Sequence, residues 1–361
     1  MTLVDHEPLR VDPDAVRDVL EYSYERGWTD GMPTVPCTEE QLAEFLSQTD
    51  RDPDDVLLEL RHLNRVLTVR LAGINAVMAG CRADYFPAVL AAWDALREEG
   101  YVGAGMWQST TGLGALLVVN GPVRTELGFN SGANLFGSGA RANATIGRSL
   151  RLVAINVFGL APGVLDQSTQ GTPAKYSLCI GENEENSPWS GLPQEHGFEE
   201  GDSSVTAISM RSVSHIEARQ ALAAEQLLHD LAGTVARTGA LLQETVSTCL
   251  VLSPEHAHLL ANQGFDRPQV RAFLHEHAVV PEEVLVRSGK DGVSTQQRLR
   301  LPGDHPDALV DPRLEGGVLH VLTGPEVVNI VVAGAPNCGI SAVVDAHNVG
   351  RSVPSIARLG E

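Results

Sequence analysis

The run Leu113-Gly114-Ala115-Leu116-Leu117-Val118-Val119 is apolar almost throughout, and its reading decides the fold class. A short continuous apolar run predicts a buried strand. After it comes Gly128-Phe129-Asn130-Ser131-Gly132-Ala133-Asn134-Leu135-Phe136-Gly137-Ser138-Gly139-Ala140-Arg141, which leads into a predicted helix over about 142–158. Strand, glycine-rich loop and helix in this order belong to a layered α/β arrangement.

The same alternation extends in both directions. On the N-terminal side, Val66–Leu71 reads as a strand, and Asp84–Glu99 as an amphipathic helix with Phe86, Val89, Leu90, Trp93 and Leu96 at helical spacing. On the C-terminal side, Ser204–Met210, Cys249–Leu252, Val318–Leu322 and Val327–Ala333 read as strands, and Ala221–Thr238 and Arg267–His277 as helices. Ser253-Pro254-Glu255 is a helix start with proline in the first position. Residues 13–27 and 38–63 predict helices, the second capped at Thr38 ahead of Glu39, Glu40 and Gln41. The expectation is an α/β fold of layered sheet-and-helix domains with a helical N-terminal appendage. We divide it into a helical segment at 1–65, an α/β domain at 66–245 and a smaller α/β domain at 246–361.

A chain of 361 residues, 43% hydrophobic and 20% charged, has the composition of an ordinary globular protein. Its formal charge of −20 argues against nucleic-acid binding, because the phosphate backbone would repel it. The opening Met1-Thr2-Leu3-Val4-Asp5-His6-Glu7 lacks the apolar stretch of a secretory signal. Leu152–Leu165 is too short to cross a bilayer and contains Asn156, Gly159 and Pro162. Five cysteines stand singly at 37, 81, 179, 249 and 338, with no CxxC pair. Neither a disulfide framework nor a zinc ribbon is expected, and a cytoplasmic location fits.

Two lysines occur among 26 basic residues, Lys175 and Lys290. A chain that otherwise uses arginine, yet keeps a lysine in a loop rich in glycine, proline and asparagine, points to a need for an ammonium. An ammonium can lose its proton on burial and act as a base or Schiff-base nucleophile. The segment 166–204 around it has almost no periodicity, and long unpatterned stretches inside a domain are often functional. Cys179 lies four residues beyond Lys175, where a helix would bring them together and a strand would not. Glu182, within Gly181-Glu182-Asn183-Glu184-Glu185-Asn186, is a candidate acid or base, and Trp189 a candidate substrate contact. Glu182, Glu184 and Glu185 without a defined ligand spacing read better as a solvated acidic loop than as a cation site.

The glycine-rich loop is a second attraction. Backbone N–H groups at a helix start favour anions. Arg141 and Arg148 add charge there, and Asn130, Asn134 and Asn143 add donors. The loop lacks the Gly-Lys-Ser/Thr of a Walker motif and the third glycine of GxGxxG. His256/His258 and His275/His277 are His-x-His pairs in predicted helices, where positions i and i+2 diverge and cannot chelate one ion. His256 alone, in a first helical turn, remains an acid–base candidate, as does His215. Asn337 and Cys338 close a strand end, where α/β ligands gather.

Several of these stretches resemble an uncharacterised bacterial family associated with, or fused to, a small domain carrying a UGSC (selenocysteine or cysteine) motif. They are Gly27-Trp28-Thr29-Asp30-Gly31-Met32-Pro33, Ile74-Asn75-Ala76-Val77-Met78-Ala79-Gly80-Cys81, Asn120-Gly121-Pro122, Arg141-Ala142-Asn143-Ala144-Thr145-Ile146-Gly147-Arg148, the run from Gln170 through Lys175 and Cys179 to Trp189, and Pro254-Glu255-His256. The resemblance implies thiol or selenol redox chemistry nearby, supplied by a partner domain. This chain departs from the pattern, since no Gly-Ser-Cys follows a cysteine.

The resulting expectation is a cytoplasmic enzyme acting on a small carboxylate-bearing metabolite by lyase-type chemistry. Arg141, Arg148, Asn130, Asn143 and Trp189 would hold the substrate. Lys175 would be base or nucleophile, with Glu182, Cys179 and His256 assisting. No cofactor motif is present, although a metal held by scattered residues such as Cys179, Glu182 and His256 would leave no spacing signature. The competing readings are a thiol-based redox enzyme and a non-catalytic ligand-binding subunit of a partner enzyme. Expected company is an anionic small molecule, with a second copy of the chain or a redox domain left open, and neither nucleic acid nor membrane.

Overall fold

The computed structural model describes residues 13–100, 102–103, 105–220, 223–237, 246–294, 299–347 and 355–358. The N-terminal part carries helices α1 (Pro13–Glu25) and α2 (Glu39–Leu46). The cap expected at Thr38 is present as a full capping box. Gln41 donates its backbone N–H to the Thr38 hydroxyl and accepts the Thr38 N–H on its side chain. The helix expected to run to residue 63 instead ends at Leu46. Asp50-Arg51-Asp52-Pro53-Asp54-Asp55 breaks it, because proline removes a helical donor and aspartates bond to the local backbone. A hairpin follows, β1 (Val56–Leu60) with β2 (Arg65–Thr68), turning at Asn64 in the left-handed region (φ 51°). The strand expected through Leu71 stops at Thr68, whose hydroxyl caps α3 (Val69–Ala79). Phe45 of α2 meets Phe86 edge to face at 5.8 Å, joining the N-terminal segment to α4 (Phe86–Glu99).

One sheet organises the rest. It is built from β3 (Gly114–Asn120), β4 (Cys179–Gly181), β5 (Ser204–Glu217), β6 (Val246–Leu252), β13 (Val328–Val332), β14 (Ile340–His347) and β15 (Ser355–Arg358). Its order is β13-β6-β14-β5-β3-β4, with β15 beside β5. β13/β6 and β3/β4 pair parallel and the other neighbours antiparallel. Strands from both the 66–245 and 246–361 segments therefore belong to one sheet. The intervening strands lie in two small sheets: β7 (Val279–Pro281), β11 (Leu314–Glu315) and β12 (Val318–His320); and β8 (Gly292–Ser294), β9 (Arg300–Leu301) and β10 (Ala308–Val310).

Helices α3, α4 and α6 (Arg141–Asn156) pack on one face of the sheet over Leu117, Val119, Val205 and Ala207. The short α5 (Val123–Glu126) follows β3. Helices α7 (Ala224–Arg237), α8 (Pro254–Asn262) and α9 (Arg267–His277) cover Leu250, Leu252, Ile330, Val332 and Val343. The alternate residues Leu116, Val118, Cys249, Val251, Val331 and Val344 form a third cluster on the opposite face. β5 bulges where Asp345 faces Ser212 and Ala346 faces Met210, leaving Arg211 extra. The bulge reverses the alternation, so Val205 and Ile216 reach the two helix-covered cores from the same side. The fold is α/β with N-terminal helices.

Candidate functional site

Lys175 sits where two loops approach more closely than side chains would permit. A Cβ on Gly112 would lie 2.8 Å from the Gly171 Cα, and one on Gly147 of α6 would lie 2.3 Å from the Ser177 Oγ. Glycine at both points lets residues 168–178 lie against the 109–112 turn and the helix. Thr172 then caps a single 3₁₀ turn, Pro173–Lys175, which aims the lysine back toward Asp166. The Lys175 Nζ donates to Asp166 Oδ1 at 2.8 Å, Asp166 Oδ2 at 2.7 Å and Ser168 Oγ at 2.5 Å. Arg151 of α6 donates to Asp166 Oδ2 from the other side at 3.1 Å.

These four side chains line a cleft of about 690 Å³, with Thr29, Asp30 and Tyr176 on other walls. That volume lies within the range of small-molecule sites. Lys175 and Arg151, with Arg148 behind the wall, face the two carboxylates Asp166 and Asp30, which leaves an excess of one positive charge around the cleft in a chain whose formal charge is −20. Burial holds the Lys175 amine below its ordinary 10.5; Arg151 pushes the same way, and Asp166 opposes both. Burial by itself would raise Asp166, but the hydrogen bonds from Lys175 and Ser168 and the lysine's charge outweigh it, so Asp166 stays below 3.8.

The other expected anion ligands are engaged elsewhere. Arg148 forks onto Asp30 at 2.8 Å through both Nε and Nη2, and also donates to the carbonyls of Met32, Pro33 and Ala79. It thereby pins the Asp30 wall of the cleft to α6. Arg141 donates to the Gly80 carbonyl at 3.0 Å and reaches that of Cys81. Asn143 is 6% exposed and staples the glycine-rich loop to β4, donating to the Asn130 and Cys179 carbonyls and accepting the Asn130 N–H. The Asn130 side chain closes its own turn through Gly132 and Ala133.

Cys179 and Glu182 do not join Lys175. Cys179 is a strand residue inside the first core, 3% exposed, and burial drives its thiol far above the usual range. Lys175 lies on a 3₁₀ turn, so the helical i, i+4 relation is not realised. Glu182 is wholly buried. Its carboxylate accepts from Arg267 at 3.0 Å, Asn120 at 2.6 Å and the Leu192 N–H at 2.8 Å. Burial raises its pKa against the pull of Arg267. The expected solvated acidic loop is thus a knot of ion pairs, with Glu184 and Glu185 on Arg124 and Glu195 on Arg271. Trp189 packs with the second core, its ring 5.8 Å from the Arg267 guanidinium.

His256 is 1% exposed in the first turn of α8, hydrogen-bonded to Ser341 and remote in the fold from the lysine cleft. Both His-x-His pairs lie in helices. Among the described residues, no group of three or more His, Cys, Asp or Glu is placed to hold a metal ion. Sequence reasoning missed Asp166, Ser168 and Arg151. Arg151 carried a signal, since it lies three residues beyond Arg148 on one helix and shares its face.

No protein-family model and no curated protein matches the chain. No helix among the described residues is long and apolar enough to cross a membrane.

Proposed function

We propose that this protein is an enzyme acting on a small carboxylate-bearing metabolite in the Lys175 cleft, by lyase-type proton chemistry. The observation that carries the reading is the Lys175–Asp166–Ser168–Arg151 constellation on the wall of that cleft. The positive excess favours an anionic ligand, and Arg151, rather than Arg141 or Arg148, is the guanidinium that lines the cleft. Lys175 moves the proton. Its depressed pKa enlarges the neutral fraction that accepts a proton from carbon, and the ammonium returns it in the reverse direction. Asp166 and Ser168 fix the amine in place. The reading includes a cytoplasmic location and either a second copy of the chain or, following the family resemblance, a separate redox domain as partner.

The thiol-redox alternative loses support at Cys179, whose thiol is buried and held protonated. The ligand-binding alternative is separated from the enzyme by experiment. A panel of small hydroxy and keto acids is screened by calorimetry and incubated in D₂O with proton NMR detection. Binding with exchange of a carbon-bound proton, lost in Lys175→Met with binding retained, supports the enzyme. Binding without exchange, weakened in Arg151→Met, identifies a binding protein.

A further inference from the structure

The sheet carries a second cavity on the face turned away from its helices. Its two edge strands are stitched together. Asn183, two residues past β4, donates its N–H to the Val332 carbonyl of β13 at 2.7 Å, and the Glu182 carboxylate accepts the Val332 N–H at 3.4 Å. The carbonyls of Asn130 and Ser131 complete the seam, accepting the N–H groups of Gly181 and Gly334 at 3.0 and 2.8 Å. The sheet therefore curls on itself, with the helices outside and the cluster around Val251, Val331 and Val344 inside.

At one mouth of this interior, where the parallel strands β6 and β13 end, lies a cavity of about 340 Å³. Ligands gather at the carboxyl ends of parallel strands and at barrel mouths. The register fixes which side chains face it. Val251 of β6 lies opposite Ala342 of β14, and Ala342 lies opposite His215 of β5, so all three share the inner face. Ala333 belongs to the same inner cluster. Phe136, half-buried on the glycine-rich loop, packs against that cluster and meets the His215 ring edge to face at 6.1 Å. Asn134 and Asn337, both exposed, and the half-buried Cys338 stand at the rim.

The lining sets the ligand. Among the described residues it contains no Asp, Glu, Lys or Arg. A charged ligand would lose hydration there without meeting a counter-charge. The floor of one valine and two alanines is low and apolar, and Phe136 stands over it, which suits a flat ring. Imidazole and amide groups at the rim can donate to an oxygen or accept from one. The volume is at the small end for ligand sites, enough for one ring. We propose that this cavity binds a small uncharged molecule of one six-membered ring bearing a hydroxyl or carbonyl group. The ring lies between Phe136 and the inner face of the sheet, and the oxygen is held by His215. Among the described residues, none lines both this cavity and the Lys175 cleft.

Cys338 reports on occupancy. Its alkylation by iodoacetamide in the folded full chain is timed by peptide mapping, with benzyl alcohol added at increasing concentration. Saturable slowing is expected, about tenfold at ten times the dissociation constant. Benzoate, the same ring with a charge, should protect Cys338 at least about tenfold more weakly. Ala342→Leu fills the floor and should abolish protection by benzyl alcohol. His215→Ala, at an exposed position, should weaken it by about 3–10-fold, the scale of one hydrogen bond. Circular dichroism confirms that each variant is folded, and Phe136→Ala, which removes the upper wall, takes the place of Ala342→Leu should that variant not fold. No saturable slowing in the wild type, equal protection by benzoate, or protection unchanged in the wall variant overturns the proposal. The readout does not pass through Lys175, so it stands or falls apart from the lysine cleft.

Discussion

Gly112 and Gly171 meet backbone to backbone, with left-handed φ values of 78° and 71°. Replacing Gly112 with alanine imposes both a backbone strain and a clash with the Gly171 Cα. We expect Gly112→Ala to destabilise the fold by about 1–3 kcal/mol, measured by urea denaturation. Amine-reactive labelling of Lys175 should change in the same variant, since the loop that aims it can no longer seat.

Lys175 can be titrated directly. With only two lysines in the chain, ¹³C-dimethylation yields two lysine resonances to follow by NMR. Lys175 should titrate below 10.5. Asp166→Asn removes the group that opposes burial and Arg151, so the midpoint should fall further. The signs for stability differ between the partners. Asp166, depressed when folded, contributes stability above 3.8 that is lost as pH falls through its folded value. Lys175, also depressed, favours the fold increasingly as pH rises from its folded value toward 10.5. An Asp166→Asn variant whose Lys175 midpoint rises would contradict this account.

Glu182 and Arg267 are 0% and 2% exposed and joined at 3.0 Å. Glu182→Gln removes the nearer carboxylate and leaves the buried guanidinium only Glu195, at 3.6 Å, and we expect a loss of about 3 kcal/mol. Glu182→Leu combined with Arg267→Met should cost less than either change alone. Full recovery is not expected, because Asn120 and the Leu192 N–H lose their acceptor. A double-mutant cycle by chemical denaturation measures the coupling.

The cysteines divide by burial. Cys37 and Cys338 are half-buried, whereas Cys81, Cys179 and Cys249 are buried. Burial pushes Cys81 and Cys249 up to about 12. In native protein, Ellman's reagent should titrate two thiols within minutes and the remaining three only after denaturation. Rapid reaction at Cys179 would reinstate the thiol mechanism.

Much of the architecture was legible because local signals agreed with it. Thr38 and Gln41 announced α2, Ser253 and Pro254 announced α8, and the apolar run at 113–119 announced β3. The strand Ile340–His347 escaped notice, since its burial on both faces is imposed by neighbours far along the chain. At the candidate site, the scarcity of lysine singled out Lys175. Its partners Asp166 and Ser168 depend on a loop path that only the Gly112–Gly171 approach sets, and such long-range contacts leave no periodic trace. Cys179 and Glu182 were placed beside Lys175 by proximity along the chain, but β4 turns Cys179 into the first core, and Glu182, just beyond the strand, is buried against Arg267.

The position of β14 bears on how the chain is made. It lies between β5 and β6, yet it is synthesised after both. Until Ile340–His347 emerges from the ribosome, β5 and β6 have facing edges with no strand to bridge them. Each half of the sheet is an open template for pairing with other nascent chains. Folding during translation should therefore stall as two unjoined halves, with the risk of aggregation concentrated in the interval between the synthesis of β6 and that of β14.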